Sequence, residues 1–136
     1  MDRTLEQFIW HRARNRCEYC LIPQDIEDSP AEIDHITAEV HGGRTVGSNL
    51  ALSCLHCNRH KGTNLAGIDP VTRLHTRLFH PRRHSWPHHF LWRGAWLRGR
   101  TAIGRTTIRV LKINATVRVF IRQELIALGM FQSTIE

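Results

Sequence analysis

The chain has 136 residues, of which 41% are hydrophobic and 23% charged. That is the size and balance of one folded domain, which excludes a disordered tail, and no apolar run approaches the ~18 residues that would span a bilayer. The net charge is +7, and all but two of the 19 basic residues, Lys61 and Lys112, are arginine. Guanidinium forks match phosphate oxygens, so a polyanion is the expected partner and a membrane is not.

Residues 1–7 are polar and lack the apolar stretch of a secretory signal, so the chain reads as cytoplasmic. Thr4 is the expected N-cap of a first helix, with Gln7 as its capping-box partner and Leu5, Phe8, Ile9 and Ala13 at helical spacing. Cys17-Glu18-Tyr19-Cys20 follows, then a Pro-bounded acidic loop to residue 30. Residues 32–36 alternate like a strand, Gly42-Gly43 marks a turn, and residues 50–53 suit a short return strand. A helix is expected over 58–65, stopped near Gly67 and Pro70, and a strand over 73–79. Residues 90–93 and 96–98 flank Gly94 as a hairpin. Two helices follow, one capped by Thr101 and one ending at Gly129. Five histidines at 75–89 read as a basic loop facing solvent or nucleic acid, and Trp86, Trp92 and Trp96 read as core packing.

The charge is divided along the chain. Residues 25–39 carry six acids and no base, whereas residues 40–136 carry fifteen bases and three acids. No acid occurs between Pro70 and Gln123. A basic stretch of this length carries the electrostatic footprint of nucleic-acid binding.

The four cysteines, Cys17, Cys20, Cys54 and Cys57, form two Cys-x2-Cys knuckles. Two knuckles complete a tetrahedral sulfur site for Zn²⁺, and every cysteine is used. Two disulfides or four buried thiols would also use them all. With no export signal in view, a closed structural zinc site is the favoured reading.

Between and beyond the knuckles lies EIDHITAEVHGGRTVGSNLALSCLHCNRHKG, residues 32–62. This string resembles the HNH endonucleases, in the subgroup with two flanking Cys-x-x-Cys knuckles; with the upstream knuckle the likeness runs from Cys17 to Gly62. The remainder looks like a bacterial branch of small stand-alone HNH proteins.

The resemblance implies an α+β architecture. A ββα-metal finger with a four-cysteine zinc site would occupy residues 1–68, and a basic hairpin and two helices would form an extension over 69–136. It also implies hydrolysis of DNA phosphodiester bonds, leaving 5′-phosphate and 3′-hydroxyl ends. His35 would be the general base, a role suited to an imidazole that titrates near neutral pH. Asp34 and Asn58 would hold one catalytic Mg²⁺ or Mn²⁺, as hard oxygen donors suit. Asn49 would brace the loop that carries His35. Arg44, Arg59 and Lys61 are candidate phosphate contacts. Duplex DNA is the expected partner, with RNA as a second candidate, and no oligomeric state is implied. The alternative is a zinc-stapled module that binds nucleic acid without cutting it.

Overall fold

The computed structural model describes residues 1–131. The chain is α+β, built from short two-stranded sheets and helices, and it divides into two compact units. The first comprises residues 1–65 and 80–83; the second comprises residues 66–79 and the chain from 84 onward.

In the first unit, helix α1 (Arg3–Arg12) begins earlier than its apolar spacing suggested. Asp2, not Thr4, is the N-cap: its Oδ1 accepts the Thr4 N–H at 2.8 Å. A carboxylate there also complements the positive end of the helix dipole. Arg14 and Asn15 then take left-handed backbone conformations, with φ of 55° and 56°, and turn the chain into the first cysteine knuckle.

Strands β1 (Glu32–His35) and β2 (Leu50–Ser53) pair antiparallel, with Asp34 opposite Ala51 and His35 opposite Leu50. All four residues of β2 are buried. Ile9 of α1 and Ala13, the residue that ends it, pack with Leu50 and Leu52 as the core of this unit, with Leu5, Trp10, Ala31 and Ile33 around them. Arg12 fastens the same corner: its guanidinium donates to the carbonyls of Gly47 (3.0 Å) and Leu50 (2.7 Å). Arg82 adds a further bond to the Leu50 carbonyl and an ion pair with Glu18.

Helix α2 spans Leu55–Lys61, three residues earlier than expected, and ends at Gly62 instead of near Gly67. The cause is a cap that helical spacing does not reveal: Cys54 Sγ accepts the Cys57 N–H at 3.4 Å.

In the second unit, β3 (Ala66–Ile68) pairs with β4 (His75–Arg77), so the helix expected to run to residue 65 gives way to a hairpin. Asp69 organises its loop. Its carboxylate accepts from the N–H groups of Val71 and Thr72 (both 3.2 Å), from the Thr72 hydroxyl (2.8 Å) and from Arg105 Nε and Nη2 (3.0 and 2.9 Å). Gly67 lies so close to helix α4 (Ala102–Val110) that a Cβ there would stand 2.5 Å from Val110 Cγ2.

Short helix α3 (Trp86–His89) leads into the expected hairpin, β5 (Phe90–Arg93) and β6 (Trp96–Gly99). Thr101 caps α4, its hydroxyl accepting the Gly104 N–H at 3.1 Å, and α5 (Thr116–Ala127) follows. Trp86 and Trp92 pack with Phe90 and Phe131, as expected for core, but Trp96 is 49% exposed. The histidine-rich stretch is not wholly a surface loop either. His80 and His89 are buried, and His89 Nδ1 lies 2.6 Å from the Thr101 hydroxyl. Burial first, then the neighbouring His84 and His88, holds the His89 pKa below the usual histidine value.

The hydrogen bonds from Arg105, opposed by burial, keep the Asp69 carboxyl well below the ordinary carboxylate range. A depressed folded-state pKa stabilises the fold above the unfolded value and loses that contribution as pH falls below about 4. Asp69→Asn is therefore expected to lower stability at neutral pH and to flatten the acid limb of stability against pH. Thermal unfolding of both chains between neutral and acid pH checks this.

Candidate functional site: a buried ion pair beneath a cavity

Two clusters organise the first unit. In one, the four cysteine sulfurs lie within 4.8 Å of one another, all buried, with Cys20 Sγ 3.8 Å from Cys54 Sγ. Sulfurs at the corners of a tetrahedron around Zn²⁺, with Zn–S bonds of about 2.3 Å, stand about 3.8 Å apart. No disulfide links them. Within each knuckle a backbone N–H turns to the first sulfur, Cys20 N–H to Cys17 and Cys57 N–H to Cys54. Burial pushes the Cys17 thiol well above the usual thiol pKa, and the contacts with Cys17, Cys20 and Cys54 do the same to Cys57. Sulfur donors with this spacing, burial and N–H support fit a structural zinc ion.

The second cluster lies under a cavity of about 350 Å³ lined by Asp34, His35, Glu39, Asn58 and Thr63 among others. Asp34, His35 and Asn58, singled out from the sequence, thus border one space. Their settings differ. His35 ends β1, and its Nε2 stands 2.9 Å from the Thr45 hydroxyl and 3.9 Å from Glu39 Oε2. Asn58, on α2, donates through Nδ2 to Glu32 Oε1, which leaves its amide oxygen for other work.

Asp34 is only 5% exposed. The Tyr19 hydroxyl donates to its Oδ2 at 2.7 Å, and Lys61 Nζ stands 3.2 Å from each carboxylate oxygen. Burial raises the Asp34 pKa, and Lys61 and the Tyr19 hydrogen bond oppose that rise. The same carboxylate, added to complete burial, drives the Tyr19 pKa well above its usual value.

Lys61 is the residue whose place the sequence did not indicate. It is 2% exposed, and its ammonium donates to Asp34 and to the carbonyls of His35 (3.3 Å) and Ile36 (3.1 Å). Its charge points inward, so the geometry assigns it to holding the end of β1 and not to touching phosphate. Arg44 and Arg59, the other two phosphate candidates, are exposed. Tyr19 was also unforeseen: one residue between two cysteines gives no periodicity to read.

The loop after His35 is clamped by Asn49. Its Oδ1 accepts the Thr37 N–H at 2.8 Å, and its Nδ2 donates to the carbonyls of Thr37 (3.0 Å) and Arg44 (2.8 Å). Beside it a Cβ on Gly43 would stand 1.7 Å from the Thr37 carbonyl oxygen, so only glycine fits. His41 Nε2 lies 3.1 Å from the Thr63 carbonyl, and His60 Nδ1 is spent on the His56 carbonyl at 2.8 Å.

The donor set beside the cavity is a carboxylate and an amide, which suits a hard divalent cation. Carboxylate oxygens keep further lone pairs beyond those engaged by Tyr19 and Lys61.

Strands β1 and β2, helix α2 after them and the two cysteine knuckles all fall within residues 17–64, which match the sequence model of the HNH endonuclease family. Over 109 residues the chain is 28% identical to the Septu protein PtuB of Bacillus thuringiensis, an alignment covering 79% of this chain and 40% of that protein. The chain therefore spans less than half the length of this relative. No solved structure matches the chain.

Removing Lys61 would leave Asp34 buried with Tyr19 alone, and breaking a buried ion pair from one side costs about 3–5 kcal/mol. Lys61→Ala is expected to lose about 3 kcal/mol in denaturant unfolding, while Arg59→Ala, at an exposed neighbour, stays within about 0.5 kcal/mol of the parent.

Proposed function

We propose that the chain is a metal-dependent endonuclease that hydrolyses DNA phosphodiester bonds. The observation that carries this reading is the cavity that Asp34, His35 and Asn58 share, in a segment matching the HNH family. His35 is the general base. One ring nitrogen is oriented by Thr45, Lys61 holds the His35 carbonyl, and Asn49 holds the backbone at Thr37 just beyond it. His35 takes a proton from water as the water oxygen attacks phosphorus; the bond to the 3′ oxygen breaks and that oxygen takes a proton from solvent water, leaving 5′-phosphate and 3′-hydroxyl ends. Asp34 and Asn58 are the residues that would hold Mg²⁺ or Mn²⁺. When bound, such an ion supplies Lewis-acid stabilisation of the charge that develops on the transferring phosphoryl oxygens. The exposed Arg44 and Arg59 are available to meet the flanking phosphates of the substrate.

The four cysteines hold a structural Zn²⁺ in this reading, and its work is folding, not hydrolysis.

One observation favours the alternative, a zinc-stapled module that binds nucleic acid without cutting. The Asp34 charge is already answered by Lys61. Plasmid nicking separates the two readings. With Mg²⁺ or Mn²⁺ the wild-type chain is expected to convert supercoiled to nicked or linear DNA, and His35→Ala to lose at least about 100-fold of that rate. Salt-sensitive binding with no cleavage under either metal would establish the alternative.

Cys57→Ser is expected to abolish binding of one zinc per chain and to unfold the first unit, because metal binding and folding are coupled. Elemental analysis of the purified chain and far-UV circular dichroism check both halves of this outcome.

A further inference from the structure

The second unit holds a cavity of about 590 Å³, lined by Trp96, Arg98, Ile108, Arg109 and Asn114 among others. It shares no residue with the space beside His35.

Strand alternation sets its character. In β6, Leu97 points inward and is buried, so Trp96 and Arg98 face outward, and Arg93 lies directly across from Trp96 in β5. Asn114 holds this strand rigid: its Oδ1 accepts the Leu97 N–H at 2.9 Å and its Nδ2 donates to the Leu97 carbonyl at 2.8 Å. That pair of hydrogen bonds occupies the β6 edge at Leu97 and leaves the face, not the edge, for docking. Arg105 also borders the cavity, but its charge is spent on Asp69. Arg98 and Arg109 are exposed and have no ion-pair partner among the described residues.

We propose that this cavity is a single-strand nucleic-acid subsite, in which one unpaired base stacks on Trp96 while Arg98 and Arg109 meet the flanking phosphates. An indole 49% exposed on the same cavity as two unpaired guanidinium groups answers both things that a strand presents, an aromatic base and a phosphate charge. A base inside a duplex has both faces covered, so the site selects an unpaired one. Charge decides against a second copy of the same surface. The unit carries ten basic and three acidic side chains, and pairing it with itself would oppose like charges. This proposal rests on the nucleic-acid reading above and adds a second point of contact to it.

The test uses the full chain without added Mg²⁺, titrated with fluorescein-labelled oligothymidylate, with oligouridylate, and with a duplex of the same length. Single strands are expected to quench tryptophan emission in the wild type and much less in Trp96→Ala. Trp96→Ala should weaken single-strand binding about tenfold, with most of the affinity kept by Trp96→Phe and duplex binding unchanged. The double variant Arg98→Ala/Arg109→Ala should lower the slope of log affinity against log salt by about 0.7 for each phosphate lost. The two oligonucleotides report whether the sugar matters.

Equal single-strand affinity in wild type and Trp96→Ala overturns the proposal, as does a dimer in sedimentation that Trp96→Ala dissolves. Plasmid nicking by the same preparations distinguishes the two failures. Nicking together with equal single-strand affinity in wild type and Trp96→Ala sinks the subsite alone, whereas neither nicking nor nucleic-acid binding sinks the nucleic-acid reading with it.

Discussion

Four sulfur atoms within 4.8 Å of one another fix more than their own neighbourhood. Cys17 and Cys20 bracket Tyr19, so drawing the sulfurs together buries the phenol and aims its hydroxyl at Asp34. Cys54 caps α2, so the same cluster sets where that helix starts and therefore where its last residue, Lys61, comes down. Tyr19 and Lys61 meet on one carboxylate because each is tied to the sulfurs by a few residues of chain. A polar triad with almost no access to water is tolerable only if each donor and acceptor is matched, and the cluster sets that match. The backbone of His35 is held by the same ammonium.

The arginine excess divides into two populations once the side chains are placed. Arg12 and Arg122 spend their guanidinium groups on main-chain carbonyls, and Arg122 also lies over Trp92 with its carbon 5.2 Å from the ring centre. Arg82 and Arg105 are paired with Glu18 and Asp69. These are fastenings between segments that short sheets leave poorly tied. A planar fork that reaches two acceptors at once suits this work better than an ammonium does. Arg44, Arg59, Arg98 and Arg109 remain at the surface. Net charge alone overstates how much of this chain faces a polyanion.

Much of the first unit was legible because its chemistry is local. Cysteine spacing, the Gly pair and the amide at Asn49 each impose a geometry within a few residues, and β1, β2 and the β5–β6 hairpin followed from alternation and a turn. The misreadings share a cause. Cys54 caps a helix with sulfur, Asp69 builds a hairpin loop from one carboxylate, and Lys61 turns inward at a helix end where lysine ordinarily meets water. In each case a partner distant in sequence, or a donor or acceptor of unusual type, overrode the local preference. The inward Lys61 answers a charge 27 residues away, and no window along the chain contains both.

Gly43 carries a different kind of consequence. Its missing side chain is filled by the Thr37 carbonyl, which is in turn held by Asn49. Three positions that never touch substrate in the proposed reaction are thus interlocked like the wards of a key. Variation by descent or by design would have to pass around this knot. The open ground for it lies between Gly43 and Asn49, at exposed Ser48, where a side chain can change with water as its main neighbour. The loop can alter what it presents outward while its inner geometry stays fixed.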